Sequence, residues 1–287
     1  MTVVTSLIKQ RTLCYIGRQA GHLSQFVNFN TYAHDQPRDQ RKSNTILQGV
    51  ARQILQKCGV RLWWVQIPKS VPLPAVFVGV DVFHAPRVYD PIKKQRVAKA
   101  SCAAIIVEVV RPDSHKKHKV EIYSETYARG AGEEYGLHEA LKSAITNALK
   151  ILKVNPMCCI VWRDGIGEGA FDTLAGDEIK GIRAGLAGEK LIGADTVQPA
   201  TSGVPLSYIV CQKRISTKFV TRALPGIPDG KYGAPPGTLV EGIQGLKYDT
   251  FYIQGRAPPQ STAKPVRFVV VERDAKLKLV NLPELTW

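Results

Sequence analysis

Two apolar runs of the chain carry an aspartate: Asp81 in "AVFVGVDVFH", residues 75 to 84, and Asp164 in "IVWRDGIGEGAF", residues 160 to 171. A carboxylate within or at the end of a buried strand is costly unless it is paired or binds a cation. Two of them in one sheet suggest an oxygen-rich site for Mg²⁺ or Mn²⁺, ions that clamp both sides of an in-line phosphoryl displacement. Glu133 and Glu134, in "RGAGEEYGL" ahead of a helix, offer a third carboxylate on a glycine-loosened loop. The other reading is that each aspartate caps a turn or the following helix, since Asp before Gly is common in turns. The residues alone leave both readings open.

The glycines after Asp164 fit the loose form G-x-G-x-x-A between a strand and a helix, which raises the question of a phosphate cradle. In a dinucleotide fold the first glycine follows the strand directly. Here Arg163 and Asp164 intervene, and no second strand ends in an acidic ribose-binding residue about twenty positions later. A phosphate cradle is therefore a poor account of these glycines. In "CQKRISTKF", residues 211 to 219, Lys213, Arg214 and Lys218 are interleaved with hydroxyls after a strand, a pattern that holds phosphate oxygens without reading sequence. A solvated basic strand end has the same composition. His115 and His118 lie in a lysine-rich turn and read as a solvated loop.

The charge balance points the same way. Against 24 Asp plus Glu stand 39 Lys plus Arg, a formal charge of +15 over 287 residues, so polyanions and above all nucleic acid are the expected partners. At 44% hydrophobic the chain can bury a proper core. No apolar run reaches the roughly 18 residues of a membrane span, and the N-terminus lacks a secretion signal's pattern. The expectation is an intracellular protein, cytoplasmic or nuclear, with no membrane partner. Its six cysteines form no CxxC pair, and four lie in apolar runs that predict buried, reduced thiols. That argues against both a disulfide framework and a zinc site.

These residues need elements to hold them. Residues 36 to 44, "QPRDQRKSN", predict a polar loop ending in a Ser43-Asn44 cap, followed by a helix to about Gly59. A boundary near residue 70 divides residues 1 to 70 from 71 to 287. Beyond it, the patterns predict strands at 75 to 84, 100 to 110, 119 to 127, 157 to 163 and 206 to 212, with helices at about 134 to 153 and 170 to 187. "YDTFYIQG" and "VRFVVVERD" read as two more strands, and 223 to 237 and 255 to 265 as irregular loops. The fold class is α/β, a mixed sheet with helices on its faces.

In order, "FVGVDVFHAP", "IVWRDGIGEGAF", "IVCQKRISTKF", "PPGTLV", "YDTFYIQG" and "STAKPVRFVVVERD" resemble the PIWI domain of the Argonaute and Piwi family, over residues 75 to 287. The "QKRIST" wording and the final "LPELTW" resemble its Piwi branch. The resemblance implies an RNase H-like sheet in which Asp81 and Asp164 are the two catalytic, metal-holding aspartates. A glutamate on a mobile finger joins them, and aligning Leu137, Leu141 and Ile145 places Gly132 there, so Glu133 or Glu134 serves only with a local shift. The ions would be Mg²⁺ or Mn²⁺, and the partners a small guide RNA, a complementary target RNA and silencing-complex proteins. Lys213, Arg214, Lys218 and Lys264 would hold the nucleic-acid backbone.

Residues 1 to 65 resemble part of a Rossmann-like MID domain, with Lys9, Gln25 and Arg61 on positions of the guide 5′-phosphate pocket and Lys57 nearby. Cations and an amide donor are what a terminal phosphate needs. Thr5 stands where a base-stacking tyrosine is usual. The resemblance also implies that the N-terminal and PAZ domains and a fourth, C-terminal ligand lie outside this chain, so the expectation is weak or no cleavage by it alone. Two alternatives stand beside target cleavage: an RNA-guided silencing module that binds without cutting, and another RNase H-fold nuclease acting on DNA.

Overall fold

The computed structural model describes residues 37–58, 60, 62, 67–83, 88–92, 94–97, 101–112, 119–129, 137–187, 203–220, 234–255, 264–278 and 280–286. The chain divides into two compact units, residues 1–66 and 67–287. In the first, the described residues form one long helix, α1, Pro37–Lys57. The loop expected over 36 to 44 is therefore helical from Pro37 onward. Proline's fixed φ suits a helix's first turn, where its missing N–H has no partner to lose, and the Gln, Arg and Lys that suggested a loop are good helix formers.

The second unit carries, in chain order, β1 (Ala75–Phe83), β2 (Val88–Asp90), β3 (Gln95–Val97), β4 (Ser101–Arg111), β5 (Lys119–Arg129), α2 (His138–Leu152), β6 (Cys158–Asp164), α3 (Gly176–Leu186), β7 (Leu206–Gln212), β8 (Leu239–Val240), β9 (Asp249–Ile253), β10 (Val266–Arg273) and α4 (Leu282–Thr286). Eight strands form one sheet in the order β5-β4-β1-β6-β7-β10-β9-β8. The central β1, β6 and β7 run parallel, and the flanking strands are antiparallel. Parallel neighbours need crossover connections, which α2 and α3 supply. The carboxyl ends of β1, β6 and β7 therefore meet at one edge of the sheet.

Alternation along each strand decides what that edge presents. Val76, Val78 and Val80, with Cys159 and Val161, and Tyr208 and Val210, pack into the core shared with Leu141, Ile145, Ile179 and Ile182 of the two helices. The other face buries Ala75, Cys158, Ile160, Ile209 and Cys211 against Leu277, Val280 and Leu282 of the C-terminal segment. The helices sit close because α3 has glycine at the crossing. A Cβ on Gly181 would overlap the main chain of His138, whose Cα lies 2.8 Å from that position, and one on Gly185 would lie 2.9 Å from the Lys142 oxygen.

Two further expectations change. Cys102 is exposed, because it falls on the outward side of β4 while Ala103 and Ile105 face the core. The helix expected over 170 to 187 starts as a 3₁₀ turn at Glu168–Ala170 and a π turn at Phe171–Ala175, becoming α-helical only from Gly176. With no side-chain cap at its start and two glycines just before it, that first segment has little to favour an α turn. The β2–β3 hairpin, of three residues per strand, is too short to show a period in the sequence.

Candidate functional site

The strand ladder brings the two aspartates together. In the parallel pair β1–β6, Val80 is partnered by Arg163, so Asp81 and Asp164 are the next residue along each strand. Both share the parity of Ala75 and Cys158 and so leave the sheet on the face opposite the two helices. Asp164 pairs with Cys211 of β7, and Lys213, two residues further on, shares that face. Its Nζ lies 2.5 Å from Asp164 Oδ2, with the lysine side chain 63% exposed and the aspartate 27%. The hydrogen bond to Asp164, helped by attraction from Asp164 and Asp81, holds the Lys213 ammonium above the ordinary lysine range. Asp81 is exposed, which corrects the sequence-based premise that it sits buried in its strand.

The turn after Asp164 is sharp and tethered. Gly165 takes φ +86°, a left-handed conformation natural only to glycine, and its N–H donates to the Cys211 carbonyl at 3.2 Å. Gln212 Nε2 donates to the Ile166 carbonyl at 3.1 Å, and Arg267 pairs with Glu168 on the turn. A Cβ on Gly165, Gly167 or Gly169 would meet no atom within 4 Å, so the space over the turn is open.

Sequence reasoning missed what lies behind Asp164. Arg163 has the opposite parity and is buried, its Nε 3.2 and 3.0 Å from the two carboxylate oxygens of Glu178 on α3. The Tyr208 hydroxyl donates to the same Glu178 at 2.5 Å, and burial beside that carboxylate pushes the phenol well above its usual range. Arg163 Nη1 also donates to the Asp164 carbonyl at 2.5 Å, so this buried network grips the main chain of the site aspartate from the far side. The available signal was parity. A guanidinium next to an outward Asp164 must point inward, and Glu178 shares a helix face with Ile182 and Gly185, both buried.

Of the other expected residues, Arg214, Lys218 and Lys264 are exposed, the first two in the extended segment after β7 and the third just before β10. Lys57 ends α1, with its side chain outside the described residues. Lys9, Gln25, Arg61, Glu133, Glu134, His115 and His118 lie outside the described residues altogether. Among the described residues no three His, Cys, Asp or Glu side chains gather as a metal cluster, so the structure contributes two carboxylates to the candidate site. No described helix is long and apolar enough to cross a membrane.

The family model that matches the chain is described as "Piwi domain" and covers residues 9–287. Among curated proteins, the chain is 28% identical over 245 residues to Piwi-like protein 1 of Gallus gallus, covering 84% of this chain and 25% of that protein. It is 28% identical over 268 residues to Piwi-like protein Ago3 of Bombyx mori, covering 92% and 25%. The chain thus spans about a quarter of the length of these relatives. Among solved structures, it superposes on Kluyveromyces polysporus Argonaute with a guide RNA at TM-score 0.62 and 20% identity, covering 99% of this chain and 31% of that one. Drosophila Piwi gives TM-score 0.59 at 19% identity, with 99% and 34% covered. At such identities the superpositions establish the mixed sheet with flanking helices as a shared fold.

Proposed function

The chain belongs to the Piwi domain family, and from that premise we propose that it is part of an RNA-guided silencing protein that binds a small guide RNA and cleaves the paired target. The observation that carries the proposal is the placement of Asp81 and Asp164 on one sheet face, each the next residue after Val80↔Arg163, the last pair of the parallel β1–β6 ladder. Two carboxylates so placed are hard oxygen donors and fit a divalent ion of the Mg²⁺ or Mn²⁺ kind, with Glu133 or Glu134 as the candidate for a third. When bound, such ions supply charge neutralisation at the scissile phosphate and activation of water.

The chain's own residues do the rest. Asp81 and Asp164 would hold the ions, and the Arg163–Glu178 pair fixes the Asp164 main chain. The open glycine turn leaves space for a backbone to pass. Arg214, Lys218 and Lys264 would neutralise phosphates along it, and Lys9, Gln25, Lys57 and Arg61 would hold the guide's 5′ phosphate.

A second reading, guided binding without cleavage, is favoured by one observation: Asp164 is already neutralised by Lys213. The two are separated by loading the chain with a 5′-phosphorylated guide and presenting a matched, labelled RNA target with Mg²⁺ or Mn²⁺. Cleavage at one position, lost in Asp164→Asn, supports the nuclease. Guide-dependent retention of target with no cut and with no Mn²⁺ held by Asp81 and Asp164 supports the binding module. Failure to retain guide or target, or a preference for DNA without a guide, overturns both.

A further inference from the structure

Lys213 was expected to hold a phosphate, yet its ammonium sits on a carboxylate of the candidate site. It leaves β7 on the same sheet face as Asp81 and Asp164, its Nζ is 2.5 Å from Asp164 Oδ2, and the attraction of Asp81 reaches it as well. The main chain fixes this placement. Asp164 is in register with Cys211, and the Gly165 N–H donates to the Cys211 carbonyl at 3.2 Å, so the start of the turn and the end of β7 cannot slide past one another. The two carboxylates draw a cation, and the chain itself supplies one.

We propose that Lys213 is a built-in counter-ion that occupies the divalent-cation position at Asp164, so that metal capture and release of the Lys213 side chain are one exchange. The inference rests on the proposed metal-holding role of Asp81 and Asp164. Nothing covalent changes. One Asp164 oxygen exchanges a monovalent partner on a flexible stem for a divalent one, and the freed ammonium is left beside the site, within the basic segment that continues through Arg214 and Lys218. The exchange is mechanically easy because the lysine side chain is 63% exposed and carries no other hydrogen bond among those the described residues show for it. An exposed pair of this kind is held weakly, unlike a buried one, where departure of either partner strands a charge.

The test measures Mn²⁺ binding to the full chain at fixed pH, by the loss of the free-ion EPR signal and by calorimetry. The proteins are wild type, Lys213→Met, Lys213→Arg and Asp164→Asn, each first checked for folding by circular dichroism. Removing the competing cation is expected to tighten Mn²⁺ binding about 3- to 10-fold in Lys213→Met, the size set by one exposed ion pair and one removed positive charge. Lys213→Arg keeps the cation and is expected to stay near wild type, and Asp164→Asn to lose the site.

Equal or weaker binding in Lys213→Met, with Asp164→Asn still losing the ion, overturns the counter-ion role and leaves the carboxylate site standing. Binding that is indifferent to Asp164→Asn, or none by any protein at millimolar Mn²⁺, overturns the carboxylate site and the counter-ion role with it.

Discussion

The pair behind Asp164 gives the sharpest structural prediction. Glu178 is fully buried and the Arg163 side chain is 5% exposed, with Tyr208 donating to the same carboxylate. In Glu178→Gln the side-chain volume is kept but the guanidinium loses its counter-charge in a site with almost no water. Breaking a buried pair in this way costs about 3–5 kcal/mol. For a unit of this size each kcal/mol shifts Tm by roughly 2–4 °C, so a fall of roughly 6–20 °C is expected on thermal unfolding followed by circular dichroism. The double variant Arg163→Met with Glu178→Gln removes both charges and is expected to recover most of the loss. It does not recover the hydrogen bond from Arg163 Nη1 to the Asp164 carbonyl. Mn²⁺ affinity in the double variant should therefore stay below wild type although stability has returned. A single variant losing less than about 1 kcal/mol, or a double variant losing as much as the sum of its parts, refutes the argument that the pair is held by mutual neutralisation.

Two further outcomes follow from packing and burial. Gly181→Ala would ordinarily favour a helix by up to about 1 kcal/mol, but its methyl group would meet the His138 backbone, so a net loss of about 1–3 kcal/mol is expected in urea unfolding; a gain would refute the close α2–α3 crossing. Burial pushes the Cys158 and Cys211 thiols up to about 12 and raises Cys159 as well, whereas Cys58 and Cys102 are exposed. At neutral pH the thiolate, the reactive form, is then scarce at the three buried positions. Maleimide labelling read by peptide mass spectrometry should mark Cys58 and Cys102 at once and Cys158, Cys159 and Cys211 only after unfolding. Labelling of Cys159 as fast as Cys102 would contradict the core assignment.

Long, continuous apolar strands were legible because their composition alone demands burial on both sides. The run at 206 to 212 matches β7 residue for residue, and Asp164 is the last residue of β6, whereas β1 continues two residues beyond Asp81. The register between β1 and β6 was not legible, since pairing of strands some eighty residues apart depends on which crossover packs best and not on local pattern. Arg163 was passed over for a related reason. Its partner Glu178 lies on another element, and a charged residue at the boundary of a strand looks like the start of a loop until parity is followed through it. The start of α1 was misread because charge and a proline mimic a loop in composition while satisfying a helix in geometry.

Neighbouring residues of β6 show what the alternation achieves. Arg163 and Asp164 carry opposite charges on opposite faces, and each finds an oppositely charged partner at hydrogen-bond distance: 3.0 Å to Glu178 on the inner side, 2.5 Å to Lys213 on the outer. The shorter contact is the weaker one. Exposed pairs contribute about 0–1 kcal/mol and are screened by salt, whereas losing one member of a buried pair costs several times as much. Exposure, and not distance, therefore separates the two roles: the inner pair is a fixture that keeps the Asp164 main chain in place, and the outer pair can be exchanged without unfolding anything. A carboxylate held rigidly from behind and neutralised loosely in front is suited to receiving a cation from solution, which is the property the proposed site requires.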